Sequence, residues 1–194
     1  PDNDVPLTEE SPLRASGDFT YAENKVRIER KVQQFARDYP RTKVTVLRPC
    51  FVVGPGVSHP LVTHLQKKFV PLPWRTPPYQ FVHVHDLVQI MLHFLAQPRS
   101  DVYNVAADGT VTFSDMLRML GNYRLRSHWP VMCVVNHLAW WLRLSFVTEV
   151  PTPVLQIIRH PWLASAEKLR THTGYPFVYD SRGAFQDFAR AVRA

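Results

Sequence analysis

The chain has 194 residues and a mass of 22.5 kDa, with 45% hydrophobic and 20% charged residues. This balance excludes wholesale disorder. The length suits one ordinary domain, or one and a half small ones, with a core that needs no staples. Lys and Arg outnumber Asp and Glu by 23 to 16, a net charge of +7. The positives are scattered along the sequence and form no nucleic-acid-binding module, so they read as a solvated basic surface and no nucleic-acid partner is expected. Two cysteines, Cys50 and Cys133, cannot build a disulfide framework and read as free buried thiols of a reducing, cytoplasmic setting. No cysteine pair has zinc-ligand spacing, and seven glycines leave no glycine-rich phosphate loop.

Residues 1–17 form a Pro- and acid-rich loop that reads as the inside of a longer protein. Asp18 is an N-cap for a helix running to about Asp38, with Tyr21, Lys25, Ile28, Val32 and Phe35 at three- and four-residue steps. Pro40 ends it. Lys43 to Leu47 predicts a buried strand, followed by the turn-rich RPCFVVGPG. Residues 59–68 predict a short helix, and the proline-rich VPLPWRTPPYQ predicts a loop. QFVHV is a second strand, after which Asp86 caps a helix carrying Leu87, Ile90, Met91, Phe94 and Leu95. VYNVA is a third strand, and Thr112 or Ser114 starts the next helix. From Trp129 a long apolar helix is expected to about Val147, then helices near 153–159, 165–172 and 181–193. Strands alternating with helices argue an α/β fold.

Tyr21 and Lys25 are four residues apart on the first helix, so they share one face. A lysine ammonium beside a phenol favours the phenolate, and such a tyrosine can serve as an acid–base group. The pair stands in an ordered series: PLTEESPLRAS, YAENK, VTVLRPCFVVGPG, QFVHVHDL, VYNVAADGTVTFSDML and EKLRTHTGYPFVYDSRGAFQDF. In that series the chain resembles the C-terminal portion of an extended short-chain dehydrogenase/reductase of the NAD-dependent epimerase/dehydratase type.

The resemblance implies the last strands and helices of a Rossmann-type parallel sheet, plus a mostly helical C-terminal substrate lobe. Residues 1–110 would carry the catalytic helix and 111–194 the substrate lobe, the two interleaving. It implies an enzyme, an NAD(P)-dependent oxidoreductase, epimerase or dehydratase, moving a hydride at an oxygen-bearing carbon. Tyr21 would exchange the proton, and Lys25 would bind the nicotinamide ribose. Pro49 and Phe51 would border the nicotinamide, and Phe51, Trp74, Arg75 and Gln80 would face the substrate. NAD or NADP would be held mainly upstream of Pro1, because the family's G-x-x-G-x-x-G does not occur. The chain alone is therefore expected to be an inactive fragment that needs the N-terminal half of the same protein, and a homodimer through the active-site helix is possible. The family's nucleotide-sugar epimerases usually carry Asn in place of Phe51 and Arg in place of Tyr79, so a less polar small-molecule substrate stands beside a nucleotide sugar. Two alternatives are a non-catalytic binding or assembly module and a membrane-associated, hydroxysteroid-dehydrogenase-like enzyme.

Other residues keep two readings. His83 and His85 alternate on a strand end and point to opposite faces, which makes them structural and not a metal pair. Arg48 either binds an anion or anchors its turn. Trp74 either contacts ligand or is buried beneath its loop. Cys50 reads as a small core residue. The segment WPVMCVVNHLAWWLRLSFV is interrupted by Asn136, His137 and Arg143 and is too short to span a bilayer. It packs on the lobe, or forms an interfacial face for a membrane surface or partner.

Overall fold

A computed structural model describes residues 5–15, 19–58, 60–145, 147–148 and 150–193. Helix α1 spans Thr20–Asp38; it contains no Gly or Pro, and the chain leaves it at Tyr39 before Pro40. The expected cap, Asp18, lies outside the described residues. No residue of α1 is buried, and Ile28 and Phe35 are exposed.

Strand β1 (Thr45–Pro49) and strand β2 (Phe51–Val53) are one extended path broken at Cys50. The break lets the path change partners. β1 pairs in parallel with β5 (Asp101–Val105), and β2 with β4 (Phe81–His83). Hydrogen bonds from Cys50 N to Val105 O (3.0 Å) and from Ala107 N to Phe81 O (3.4 Å) tie the two pairs together. Helix α3 (Val84–Ala96) follows β4 and packs Ile90 and Phe94 over Val82, Tyr103 and Val105.

Asp86 is not the cap of α3. His83 occupies that place, and its ring nitrogen accepts from His85 N at 3.1 Å. With the cap position filled, the fully buried Asp86 carboxylate accepts instead from Tyr175 Oη (2.9 Å), Val178 N (3.0 Å) and Tyr179 N (3.2 Å). A buried carboxylate needs several donors, and the C-terminal segment provides them.

The proline-rich loop also needs correction. Its first part is strand β3 (Phe69–Pro73), paired in parallel with β6 (Tyr123–Ser127), a strand the sequence pattern did not announce. Tyr123 N donates to Lys68 O at 2.8 Å, so even-numbered residues of β3 face β6 and Pro71 and Pro73 face the open edge. Two prolines spaced by two therefore remove no bond from the ladder. β3 comes from the first 110 residues and β6 from the later ones, and the two form one parallel pair.

Between α3 and β6 lie β5 and helix α4 (Phe113–Leu120), whose N-cap Thr112 accepts from Asp115 N at 3.2 Å. Helix α2 (Pro60–Leu65) precedes β3. Helix α5 spans Trp129–Trp141 and stops short of Val147, because Arg143 turns the chain at φ 55°. The segment expected as a helix near 153–159 is a 3-10 turn, Thr152–Ile158, with prolines at 151 and 153. Helices α6 (Glu167–Thr173) and α7 (Ser181–Arg193) close the chain. The larger core gathers Val53, Leu72, Phe81, Phe113, Met116 and Phe185, which joins α7 to both sheet pieces.

Candidate active site on the first helix

Tyr21 and Lys25 do meet. The Lys25 ammonium lies over the Tyr21 ring, 5.4 Å from its centroid, and both side chains are exposed. Neither makes a hydrogen bond or ion pair with another described residue, so both polar ends are available to a ligand.

The helix that carries them is tied to the sheet by Arg48 of β1. Arg48 Nε donates to Glu29 Oε1 and Oε2 at 3.0 and 3.2 Å, its Nη2 also donates to Glu29, and its Nη1 donates to Glu9 O at 3.1 Å. Arg48 therefore anchors; its donors are spent on protein groups. Glu9 in turn accepts from Asn104 N at 2.7 Å, so the segment before α1 is held against β5. One guanidinium fixes α1 beside the C-terminal end of β1, where Pro49 is exposed and Phe51 begins β2. In open α/β sheets ligands bind outside the carboxyl ends of the strands.

The other predicted residues have the following partners. Phe51 packs its ring against Tyr79 (5.9 Å) and Trp162 (5.3 Å). Burial pushes the Tyr79 phenol far above its ordinary range, and its hydroxyl donates to Ile157 O at 2.6 Å. Gln80 spends its amide on main chain, accepting from Ala164 N (2.7 Å) and donating to Ala107 O (3.4 Å). Trp74 is exposed, not covered by its loop, and Arg126 stacks over it at 5.3 Å; its neighbour Arg75 is exposed. Arg124 holds this turn by donating to Trp74 O at 2.9 Å and to Pro73 O. Burial lowers its affinity for its proton.

Cys50 follows β1 directly, and desolvation pushes its thiol up to about 12, which makes it a poor nucleophile. His83 is buried with Nε2 3.3 Å from Asp187, whereas His85 is exposed on α3. No group of three metal-ligating side chains forms among the described residues.

Sequence reading missed a second feature besides β6. A cavity of about 180 Å³ lies between α2, β3, α5 and the 3-10 turn, lined by Val131, Val135, Val154, Leu155 and Ile158 with Asn136 and Lys67 among them. Its walls come from stretches far apart in sequence, so no local pattern announces it.

The NAD dependent epimerase/dehydratase family model matches residues 1–106, more than half the chain, and the chain belongs to that family. An uncharacterized protein of Mycobacterium tuberculosis (strain ATCC 25618 / H37Rv) is 24% identical over 195 residues, covering 98% of this chain and 50% of that protein. The chain thus spans about half the length of the curated relatives it matches. Among solved structures, dTDP-glucose 4,6-dehydratase of Bacillus anthracis in complex with NAD aligns at TM-score 0.68 and 15% identity, over 96% of this chain and 55% of that one. RMD from Pseudomonas aeruginosa complexed with NADPH aligns at 0.67 and 14%, over 98% and 61%. The UDP-glucose 4-epimerase of Thermotoga maritima gives 0.67 and 14%, over 98% and 58%. These likenesses show the fold: a Rossmann-type α/β arrangement, covered in part.

Proposed function

We propose that this chain is the catalytic-helix and substrate-lobe portion of an NAD(P)-dependent oxidoreductase of the epimerase/dehydratase type. Tyr21 is its acid–base residue. The observation that carries the reading is the exposed Tyr21–Lys25 pair, neither polar end bonded to another described residue, on a helix anchored to β1 by Arg48 and Glu29. The available residues fit the nicotinamide-ribose end of a dinucleotide. Lys25 offers an ammonium with no carboxylate partner among the described residues, a donor suited to ribose hydroxyls, and exposed Pro49 offers a flat apolar edge. The chain has no G-x-x-G-x-x-G, so the diphosphate would be held by residues outside it, and this chain alone would be inactive. When bound, the nicotinamide supplies hydride chemistry. Tyr21 gives or takes the proton at the substrate oxygen, and Lys25 orients the ribose and favours the phenolate.

The substrate is proposed to be less polar than a nucleotide sugar. Phe51 stands in an aromatic group with Tyr79 and Trp162, and the Tyr79 hydroxyl is already spent on main chain. The exposed apolar residues of α1 support a homodimer through that helix. The test is titration of the complete protein with NADH and NADPH, followed by ligand fluorescence. Lys25→Met should weaken binding about tenfold or more, the worth of a charge-assisted hydrogen bond. Unchanged affinity would remove Lys25 from the cofactor site.

A further inference from the structure

Helix α5 is apolar on most of its circumference, its polar side chains being buried Asn136 and exposed His137. Met132, Asn136 and Ala139 are buried inward, while Val134, Leu138 and Trp141 point outward and are exposed, Trp141 at 74%. A helix apolar on most sides is normally covered on most sides, and α5 is covered on one. With 13 residues it is too short to cross a bilayer, and no helix among the described residues is long and apolar enough to do so.

Charge distribution says what covers it. Residues 54–78 and 120–165, which supply β3, β6, α5 and the 3-10 turn, hold seven Lys and Arg against one acid, Glu149. That is a net +6 out of +7 for the whole chain. The positives that look scattered in sequence converge in the fold. At the start of α5, Arg159 sits over the Trp129 ring at 5.2 Å, and Arg126 stacks on Trp74, whose ring lies 5.9 Å from that of His128. At its end lies exposed Arg143, while half-buried Lys67 has its ammonium 3.4 Å from Val147 O. An apolar stripe with cations at both ends and tryptophans at its tip matches a bilayer surface, where negative headgroups overlie an apolar interior.

We propose that the helical lobe docks on an anionic lipid bilayer, with the outer face of α5 at the headgroup–acyl boundary and exposed Arg126, Arg143 and Arg159 on the headgroups. The test is co-sedimentation of the complete protein with vesicles of phosphatidylcholine alone or mixed with phosphatidylglycerol, at low and high salt. The expected result is pelleting with the mixed vesicles at low salt, loss of it at high salt, and a blue shift of tryptophan emission on binding. Arg143→Gln should weaken binding about fivefold, the worth of one cation near such a surface, and Trp141→Ala should weaken it as well. Both side chains are exposed, so both variants should fold, which circular dichroism checks. A protein that stays in solution with mixed vesicles at low salt would overturn the proposal, whether a second copy or another segment covers α5. Equal binding to both vesicle types, or binding indifferent to Trp141→Ala, would overturn it too.

Discussion

Arg48→Met tests how α1 is held. α1 buries no residue of its own, so its position rests on half-buried contacts and on the Arg48–Glu29 pair. The two side chains are 20% and 13% exposed, which puts the pair between a surface bridge and a fully buried one. Breaking a buried pair costs about 3–5 kcal/mol and an exposed one under about 1, so a loss of about 2–3 kcal/mol is expected here. The loss arises mainly because the carbonyl of Glu9 loses its side-chain donor and Glu29 keeps only the 3.4 Å contact from Gln33. For a protein of this size it lowers the melting temperature by about 5–10 °C. Glu29→Gln should cost less, since an amide oxygen still accepts. The double variant should cost clearly less than the two singles together, because no unpaired charge remains. Arg48→Lys should not rescue, for a lysine cannot make the forked contact to Glu29 while also reaching Glu9 O. The assay is thermal and urea unfolding of the complete protein. An Arg48→Met variant within about 0.5 kcal/mol of wild type, or additive single variants, would refute the anchor.

Three further outcomes are expected. Asp86→Ala strips the acceptor from Tyr175 Oη, Val178 N and Tyr179 N, and should destabilise by about 3–5 kcal/mol; a urea midpoint near that of wild type would show that water or another group replaces it. Burial opposes the charge on Asp101, but the Lys168 ammonium at 2.5 Å prevails and holds the carboxyl below 3.8, while Asp101 raises Lys168 above 10.5 against its own burial. The carboxylate's contribution is thus present above 3.8 and lost as pH falls through its lowered value, and the ammonium's is present below 10.5 and lost as pH rises through its raised one. Both groups are about a third exposed or less, so the amount is under about 1 kcal/mol, and Lys168→Met should flatten the acid limb of a stability–pH curve. Cys50 is half-buried, and with its thiol pushed up to about 12 it is little ionised at pH 8, so its labelling by an aromatic disulfide should follow unfolding; rapid labelling of the native protein would contradict this.

What the sequence disclosed follows from what is local. The Tyr21–Lys25 spacing, the Thr112 cap and the helix at 181–193 depend on residues within a turn or two, and all take the expected form. β3 was hidden because prolines usually exclude strands, and only its parallel partner reveals that Pro71 and Pro73 face an open edge. β6 was hidden because YRLRS is half-exposed and basic, without the buried alternation that marks a strand. Arg48 had two readings until the fold brought Glu29 and Glu9 to it from 19 and 39 residues away. Asp86 resembled a cap, but its donors lie 89 to 93 residues downstream. Long-range partners decide between anchoring and binding, and they are not written into the neighbouring residues.

The central claim is that Tyr21 moves the proton. The most direct measurement compares wild type with Tyr21→Phe in the complete protein. Nicotinamide reduction is followed on a panel of nucleotide sugars and apolar alcohols, and NADH affinity is titrated beside it. The account predicts that turnover on any substrate wild type oxidises falls by about a hundredfold or more, while NADH affinity stays within about twofold, because a phenyl ring keeps the packing and removes only the hydroxyl. Turnover equal to wild type, with the cofactor still bound, would contradict it.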